Sequence, residues 1–583
     1  MEEDSVAGGE TEALEIGGEG LLVIGVHGGE YRGRGLLCLL LIDAGLIGRF
    51  EAFQETHMAQ PRIIFDHDGR HPLIYMYEPP MQKEELEAGV DELLGTPVEA
   101  LSLTLGDTQS LLYDSRVGKL WGRDIKKWPH VIWKRANQNF SYLIKGGHDP
   151  LQVLCDRAHA RGLLLYAQLL PQQGPRERML QSWENPRFKP DDWRDDLRPM
   201  EIGYKGGVSA DWPGYRAWDY ALEEVRALNM DVVAEVLARY PLDGFELQLN
   251  YCPYYFHPDE AAAGLEIMTE WIGRIYRAVK RSGKDRELLL RVPADIDGCR
   301  AVGLEPLEWM RRGIVDAVVP EASGMADPSA DFGAFVAAAK GTRCRVLPAL
   351  QSRVDSDRIG EGTIEMVRAG ACNFWAQGVD GLYIAHWFGG WPYGADFYEK
   401  LREVPYPEVM AAKDKIYRVP TEGAAPAQQA VSPMVDNPLP LELAQGVQVR
   451  VAFVVSDDVK KWDRAGRVDA VILRIRVTET TERDRLRFVF NGRELPESML
   501  RRVNRMYAMQ APRYRVFGYW FVFRLEKKYW PKRGRNVLVV EILRRDGQVL
   551  PAAQLRDVEL EVKYLMGKNF HRQPVDADLG PSL

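Results

Sequence analysis

The chain has 583 residues, 46% of them hydrophobic and 27% charged, enough to bury a barrel-sized core plus a further domain and too apolar for disorder. A net charge of −9 offers no general attraction for nucleic acid or anionic membrane. The six cysteines (Cys38, Cys155, Cys252, Cys299, Cys344 and Cys372) are far apart, with no CxxC pair and no zinc-site spacing, so they read as buried free thiols, which leans towards a reducing compartment.

Residues 1–57 are rich in Gly and Glu and carry the apolar run RGRGLLCLLLIDAGLIGRF, interrupted by Asp43. The run is too short to span a bilayer and has no A-x-A cleavage site. A disordered or artefactual extension ahead of a natural start near Met58 is expected, with a degenerate export signal as the alternative; localisation stays open.

From residue 62 to 388, eight short apolar strand candidates alternate with helix-compatible sequence. They are RIIFDHDG (62–69), PVEALSLTLGD (97–107), GLLLYAQLLP (162–171), DGFELQLN (243–250), ELLLRVPAD (287–295), VDAVVPEAS (315–323), RVLPALQS (345–352) and DGLYIAHWF (380–388). Between them, apolar residues recur at three- and four-residue steps over 81–95, 148–162, 215–240, 262–283, 305–313, 330–341, 362–378 and 395–404, the pattern of amphipathic helices. Eight such units predict an α/β fold, a (β/α)8 TIM barrel over 58–414, whose chemistry sits at the carboxyl ends of the strands. Two connections, 107–147 and 172–214, are long enough to be functional and hold Trp121, Trp128, Trp133, Trp183, Trp193 and Trp212, aromatics able to line a groove.

The Pro/Ala/Gln-rich stretch within 415–440 reads as a linker. Over 441–570, alternating strands separated by NG, RG and DG turns predict an all-β sandwich, followed by a tail, 571–583. Tyr514, Tyr519, Trp520, Tyr529 and Trp530 suit either sugar stacking or packing.

The segments RIIFDHDG, VEALSLTLGD with YDSRVGKLWG, RAHARG, WDYALEEVR, YPLDGFELQLNYCPYYF and VDGLYIAHWF resemble the glycoside-hydrolase-like barrel proteins of bacteria. Over about residues 60–410 this resemblance implies a carbohydrate-directed hydrolase that takes a poly- or oligosaccharide. Two departures stand out: Gln248 replaces an Asp usual in that family, and His386 replaces a frequent Asn.

Glycoside hydrolysis needs two carboxyl groups flanking the sugar bond. In the fourth strand the two-residue period puts Glu246, Gln248 and Asn250 on the face that must point into the barrel. Glu246 is then either catalytic or a buried structural carboxylate against Arg291. Glu321 closes strand six, and Asp66 and Asp68 close strand one beside Gly69. Strand seven ends in Gln351, so the ordinary retaining pair, with its strand-seven Glu, is not visible. The candidate catalytic residues are Glu246, Glu321 and Asp68. The candidate substrate contacts are Asp66, Asp107, Gln168, Trp212, Gln248, Asn250, Arg291, Asp295, Gln351, His386, Trp387 and Trp391. Asp66, His67, Asp68 and His71 form a compact cluster that could hold a divalent metal, but a loop crowded with polar side chains is the commoner explanation of such a cluster. No cofactor or metal is expected. The rival function is a barrel that binds saccharide without cleaving it.

Overall fold

Eight parallel strands close into a cylinder in this computed structural model. It describes residues 60–69, 76–107, 110–118, 120–122, 128, 131–172, 198–322, 326–354, 356–422, 438–504, 518–567, 575–576 and 580–581. The extension expected over 1–57, His71, Trp183, Trp193 and Tyr514 lie outside these residues. The strands are β1 (Ile63–His67), β2 (Ala100–Asp107), β3 (Leu164–Leu169), β4 (Gly244–Gln248), β5 (Glu287–Pro293), β6 (Ala317–Glu321), β7 (Arg345–Val346 and Ala349–Gln351) and β8 (Leu382–Ala385). Each pairs in parallel with the next, and β8 pairs with β1, closing the ring. β7 is split because Pro348 has no N–H for the ladder. Its first half pairs with β6 and its second with β8. A helix occupies each of the eight segments where periodicity predicts one, among them α1 (Lys83–Asp91) and α2 (Ala261–Ser282). Periodicity does not predict others, among them Val131–Lys145, inside the connection 107–147 read as a long loop, and the short Ile296–Ala301.

Strand alternation divides the barrel residues into two sets. Phe65, Leu101, Leu165, Phe245, Leu247, Leu288, Leu290 and Val318 point outward into the large core shared with the helices. Ile64, Ala100, Tyr166, Leu289, Val319, Leu347 and Tyr383 fill the barrel itself. Below this layer Tyr166 Oη donates to Glu287 Oε2 at 2.7 Å, and Arg345 Nη2 lies 2.7 Å from the same oxygen. The ring of Tyr166 accounts for Gly244: a Cβ there would sit 1.8 Å from its ring carbons.

Ten antiparallel strands follow: β9 (Lys415–Arg418), β10 (Leu441–Leu443), β11 (Gln448–Val455), β12 (Val468–Thr478), β13 (Arg485–Phe490), β14 (Arg493–Glu494), β15 (Leu500–Asn504), β16 (Tyr519–Arg524), β17 (Gly534–Arg544) and β18 (Ala553–Tyr564). They form a six-stranded sheet, β9-β18-β12-β16-β15 with β10 also on β18, and a four-stranded sheet, β11-β17-β13-β14. Leu473, Ile475, Phe521, Phe523 and Leu560 of the first meet Phe453, Phe488, Leu538 and Val540 of the second in one core. The segment 415–440 thus opens with a strand of the larger sheet, while 423–437 lie outside the described residues. Trp520 is buried, and Tyr519, Tyr529 and Trp530 pack against the sandwich core.

Candidate functional site

The carboxyl ends of the barrel strands converge on one guanidinium. Arg291, on β5, is fully buried, stands between Asp66 of β1 and Glu321 of β6, and lies 5.0 Å over the ring of Tyr383. Its Nη1 is 3.1 Å from Asp66 Oδ2, its Nε donates to Glu321 Oε2 at 2.7 Å, and its Nη2 lies 2.9 Å from His386 Nε2. One planar group thus holds carboxylates from β1 and β6 together at the strand ends.

Glu321 meets two further donors, Asn250 Nδ2 at 2.5 Å on Oε2 and Gln351 Nε2 on Oε1. A carboxylate on each amide nitrogen fixes the amide orientation, since the reversed form would set oxygen against oxygen. Asn250 Oδ1 and Gln351 Oε1 therefore face away from Glu321, and among the described residues both are buried without a hydrogen-bond partner. Such orphan acceptors are costly unless something donates to them, and sugar hydroxyls are donors.

One layer down, Glu246 is fully buried. Its Oε2 is met by Ser102 Oγ at 2.5 Å and Tyr383 Oη at 2.8 Å, and Gln168 Nε2 reaches its Oε1 at 3.0 Å. Gln168 lies beside Glu246 in the β3–β4 register and also reaches Asp66 Oδ1 at 3.2 Å. Burial raises the Glu246 pKa to about 7 against the lowering pull of Arg291, with Asp66 adding to the rise. It therefore gains its proton within the neutral range, well above an ordinary Glu. Of the two readings that the sequence allows for Glu246, its partners are Ser102, Gln168 and Tyr383, whereas Arg291 is taken by Asp66 and Glu321.

His386 caps this layer from the end of β8 with φ of 61°, a left-handed conformation that costs energy for a non-glycine residue and concentrates at functional sites. Its backbone N–H donates to Asp66 Oδ2 at 3.2 Å. Arg291 can only donate, so His386 Nε2 accepts and the ring proton is on Nδ1, 3.6 Å from Asp66 Oδ2. Burial, aided by the Arg291 charge, lowers its pKa and keeps the ring neutral.

The other residues expected at the site are dispersed. Asp68, two residues beyond Asp66, is half-buried, and Gln248 is buried beside Arg291 in the strand register. Asp107 is buried at the end of β2, bridged to Ser110. Asp295 is exposed and caps the helix Ile296–Ala301, accepting from Asp297 N at 3.1 Å. Trp387 is buried and donates to Leu350 O at 3.0 Å. Trp391 donates to Glu92 Oε1 at 2.6 Å, beside α1. Trp212 is half-buried against Tyr254, whereas Trp121 is fully buried among Trp128, Trp133 and Phe140 and lines no groove. Ser102 and Tyr383 were not singled out from sequence, although both lie on the inward period of their strands.

Among the described residues no group of three or more His, Cys, Asp or Glu is placed to hold a metal ion, and no helix is long and apolar enough to cross a membrane.

No family model matches the chain. The glycosyl hydrolase DigH of Escherichia coli (strain K12) is 25% identical over 138 residues, 22% of this chain and 27% of that protein. The chain therefore spans about a quarter of the length of this curated relative. Among solved structures, the endo-β-1,4-mannanase from Thermotoga petrophila superposes with a TM-score of 0.40 at 10% identity, covering 86% of this chain and 97% of that one. The PgaB (BpsB) glycoside hydrolase domain from Bordetella bronchiseptica gives 0.35 at 14% identity, covering 59% and 98%. By its closed strand order and its match to DigH, the chain has a glycoside-hydrolase-like barrel followed by antiparallel β-sheets, and over 138 residues it is similar, at low identity, to a glycosyl hydrolase.

Proposed function

We propose that this protein hydrolyses a glycosidic bond of a poly- or oligosaccharide at the carboxyl-terminal face of its barrel. The observation that supports this most strongly is Glu321, fixed at the strand ends on the buried Arg291 guanidinium, with the orphan oxygens of Asn250 and Gln351 beside it. Glu321, fixed by three donors, is the carboxylate that attacks or activates water. Asp68, half-buried two residues beyond Asp66 of β1, delivers the proton to the leaving oxygen, a task that needs reach to the substrate. Asp66 and Arg291 set the position of Glu321, and neutral His386, accepting from Arg291, helps hold that guanidinium in place. Glu246 is a positioning group, because it lies one layer below Arg291 and its two oxygens are taken by Ser102, Tyr383 and Gln168.

A second reading is favoured by one feature: every carboxylate directly on Arg291 is already saturated by protein donors, and β7 ends in Gln351. On that reading the barrel binds saccharide without cleaving it. Incubating the full chain with a panel of polysaccharides, and scoring new reducing ends beside retention on the same glycans in a gel, separates the two. Cleavage supports the hydrolase; retention without cleavage on any glycan supports the binding protein.

A further inference from the structure

The connection that leaves β7 is a closed finger. Gly362 N donates to Ser352 O at 2.7 Å and Val354 N to Gly360 O at 3.1 Å, with Arg353 bridged to Glu361. At its base Gln351 binds Glu321, and the Arg353 charge helps keep His386 neutral. Its tip leaves the barrel. Asp357 Oδ1 lies 2.5 Å from Arg476 Nη2 of β12, and Arg358 Nη2 bonds Glu559 and lies 3.5 Å from Asp557 Oδ1, both on β18. The Arg358 guanidinium also covers the Trp520 ring at 4.7 Å, and all of these side chains are nearly sealed from solvent.

The charges are crossed: the finger brings one acid and one base, and the sheet answers each with its opposite. Three neighbouring arginines, Arg358, Arg476 and Arg418, outweigh burial and hold the Asp557 carboxyl below its ordinary range. A buried ionic contact adds little net stability relative to apolar packing, but it tolerates one geometry only, because a broken pair leaves a charge buried without its counterpart.

We infer that the C-terminal sheet domain is a clamp that positions the β7 finger, with Arg358 as its positioning residue, and so holds Gln351 against Glu321. It is therefore an integral part of the barrel's working face and not a detachable sugar-binding module. Trp520, which from sequence suits either sugar stacking or packing, serves as the floor under Arg358. The consequence for turnover rests on the hydrolase reading; the mechanical claim does not.

The test is hydrogen exchange on the full chain. In Arg358→Ala, the amides of 352–362 should exchange about tenfold faster or more, as a local opening requires, while those of 287–293 keep their protection. Arg358→Lys, which keeps the charge but loses the planar fork, should fall between. On a glycan that the wild type cleaves, Arg358→Ala should lower kcat with KM unchanged, and Arg358→Lys should recover part of it. Unchanged exchange over 352–362 in folded Arg358→Ala overturns the clamp. If that variant does not fold, Arg358→Lys decides by the same readout: faster exchange over 352–362 supports the clamp and unchanged exchange overturns it. If no glycan is cleaved, the hydrolase reading falls and the exchange data still judge the clamp.

Discussion

Replacing Glu246 by Gln should remove a slope from the pH dependence of stability. In the folded chain this carboxyl has a pKa of about 7, against 4.5 for an unperturbed Glu. Between these values the native state holds a proton that the unfolded chain has released, so the stability contributed by this group is full below about pH 4.5, falls as pH rises to about 7, and is level above that. The gap corresponds to about 3 kcal/mol. Gln is neutral at every pH. Its carbonyl can accept from Gln168 in place of Oε1, and its NH2 can donate to the hydroxyls of Ser102 and Tyr383, with Tyr383 Oη then turned to Asp66 Oδ1 at 3.5 Å. Any fixed cost of that rearrangement is independent of pH. Urea unfolding of wild type and Glu246→Gln at intervals from pH 4.5 to 8.5 isolates the titration in the difference between them. The wild type should lose about 3 kcal/mol relative to the variant across this range. A difference that is flat, or that moves in the wild type's favour as pH rises, would show that Arg291 outweighs burial and that Glu246 is ionised in the fold.

Arg291→Met should destabilise the barrel by about 3–5 kcal/mol, because Asp66 and Glu321 would remain buried with their counter-charge gone; thermal melting at neutral pH reads this directly, and near-wild-type stability would contradict the network. Gly244→Ala should cost about 1–3 kcal/mol through overpacking against Tyr166, whereas Gly547→Ala, with open space around its Cβ and no left-handed backbone, should cost less than that in the same melting assay. The five described cysteines are buried, and burial pushes the Cys344 and Cys372 thiols up to about 12. They should ignore an aromatic disulfide reagent in the native state and react on denaturation; rapid native labelling of any of the five would refute the packing around it.

The barrel was legible because its strands are short apolar runs separated by amphipathic helices, and every one of the eight candidates contains a strand of the ring. Inward polar positions could be read too: Asp66, Gln168, Glu246, Arg291, Glu321 and Gln351 all obey the two-residue period and converge. Partnering was not legible. Nothing in local sequence says that Arg291 reaches Asp66 and Glu321 while leaving Glu246 to Ser102 and Tyr383, since those choices depend on layer height across non-adjacent strands. Trp121, Trp387 and Asp295 show the opposite error. Their residue types suit a sugar site, but packing and helix capping use the same chemistry, and only burial tells them apart. The strand Lys415–Arg418 escaped notice because its four residues precede a Pro/Ala/Gln-rich stretch and pair with β18, some 140 residues onward.

The hydrolase account is tested most directly by the steady-state kinetics of wild type, Glu321→Gln and Asp68→Asn on a glycan from the polysaccharide panel. The account predicts that wild type releases reducing ends and that each substitution lowers kcat by about a thousandfold while the glycan is still bound and the fold kept. Release that survives Glu321→Gln at a comparable rate would contradict the placement of the reaction on this carboxylate, and binding without release by the wild type would make the barrel a saccharide-binding protein.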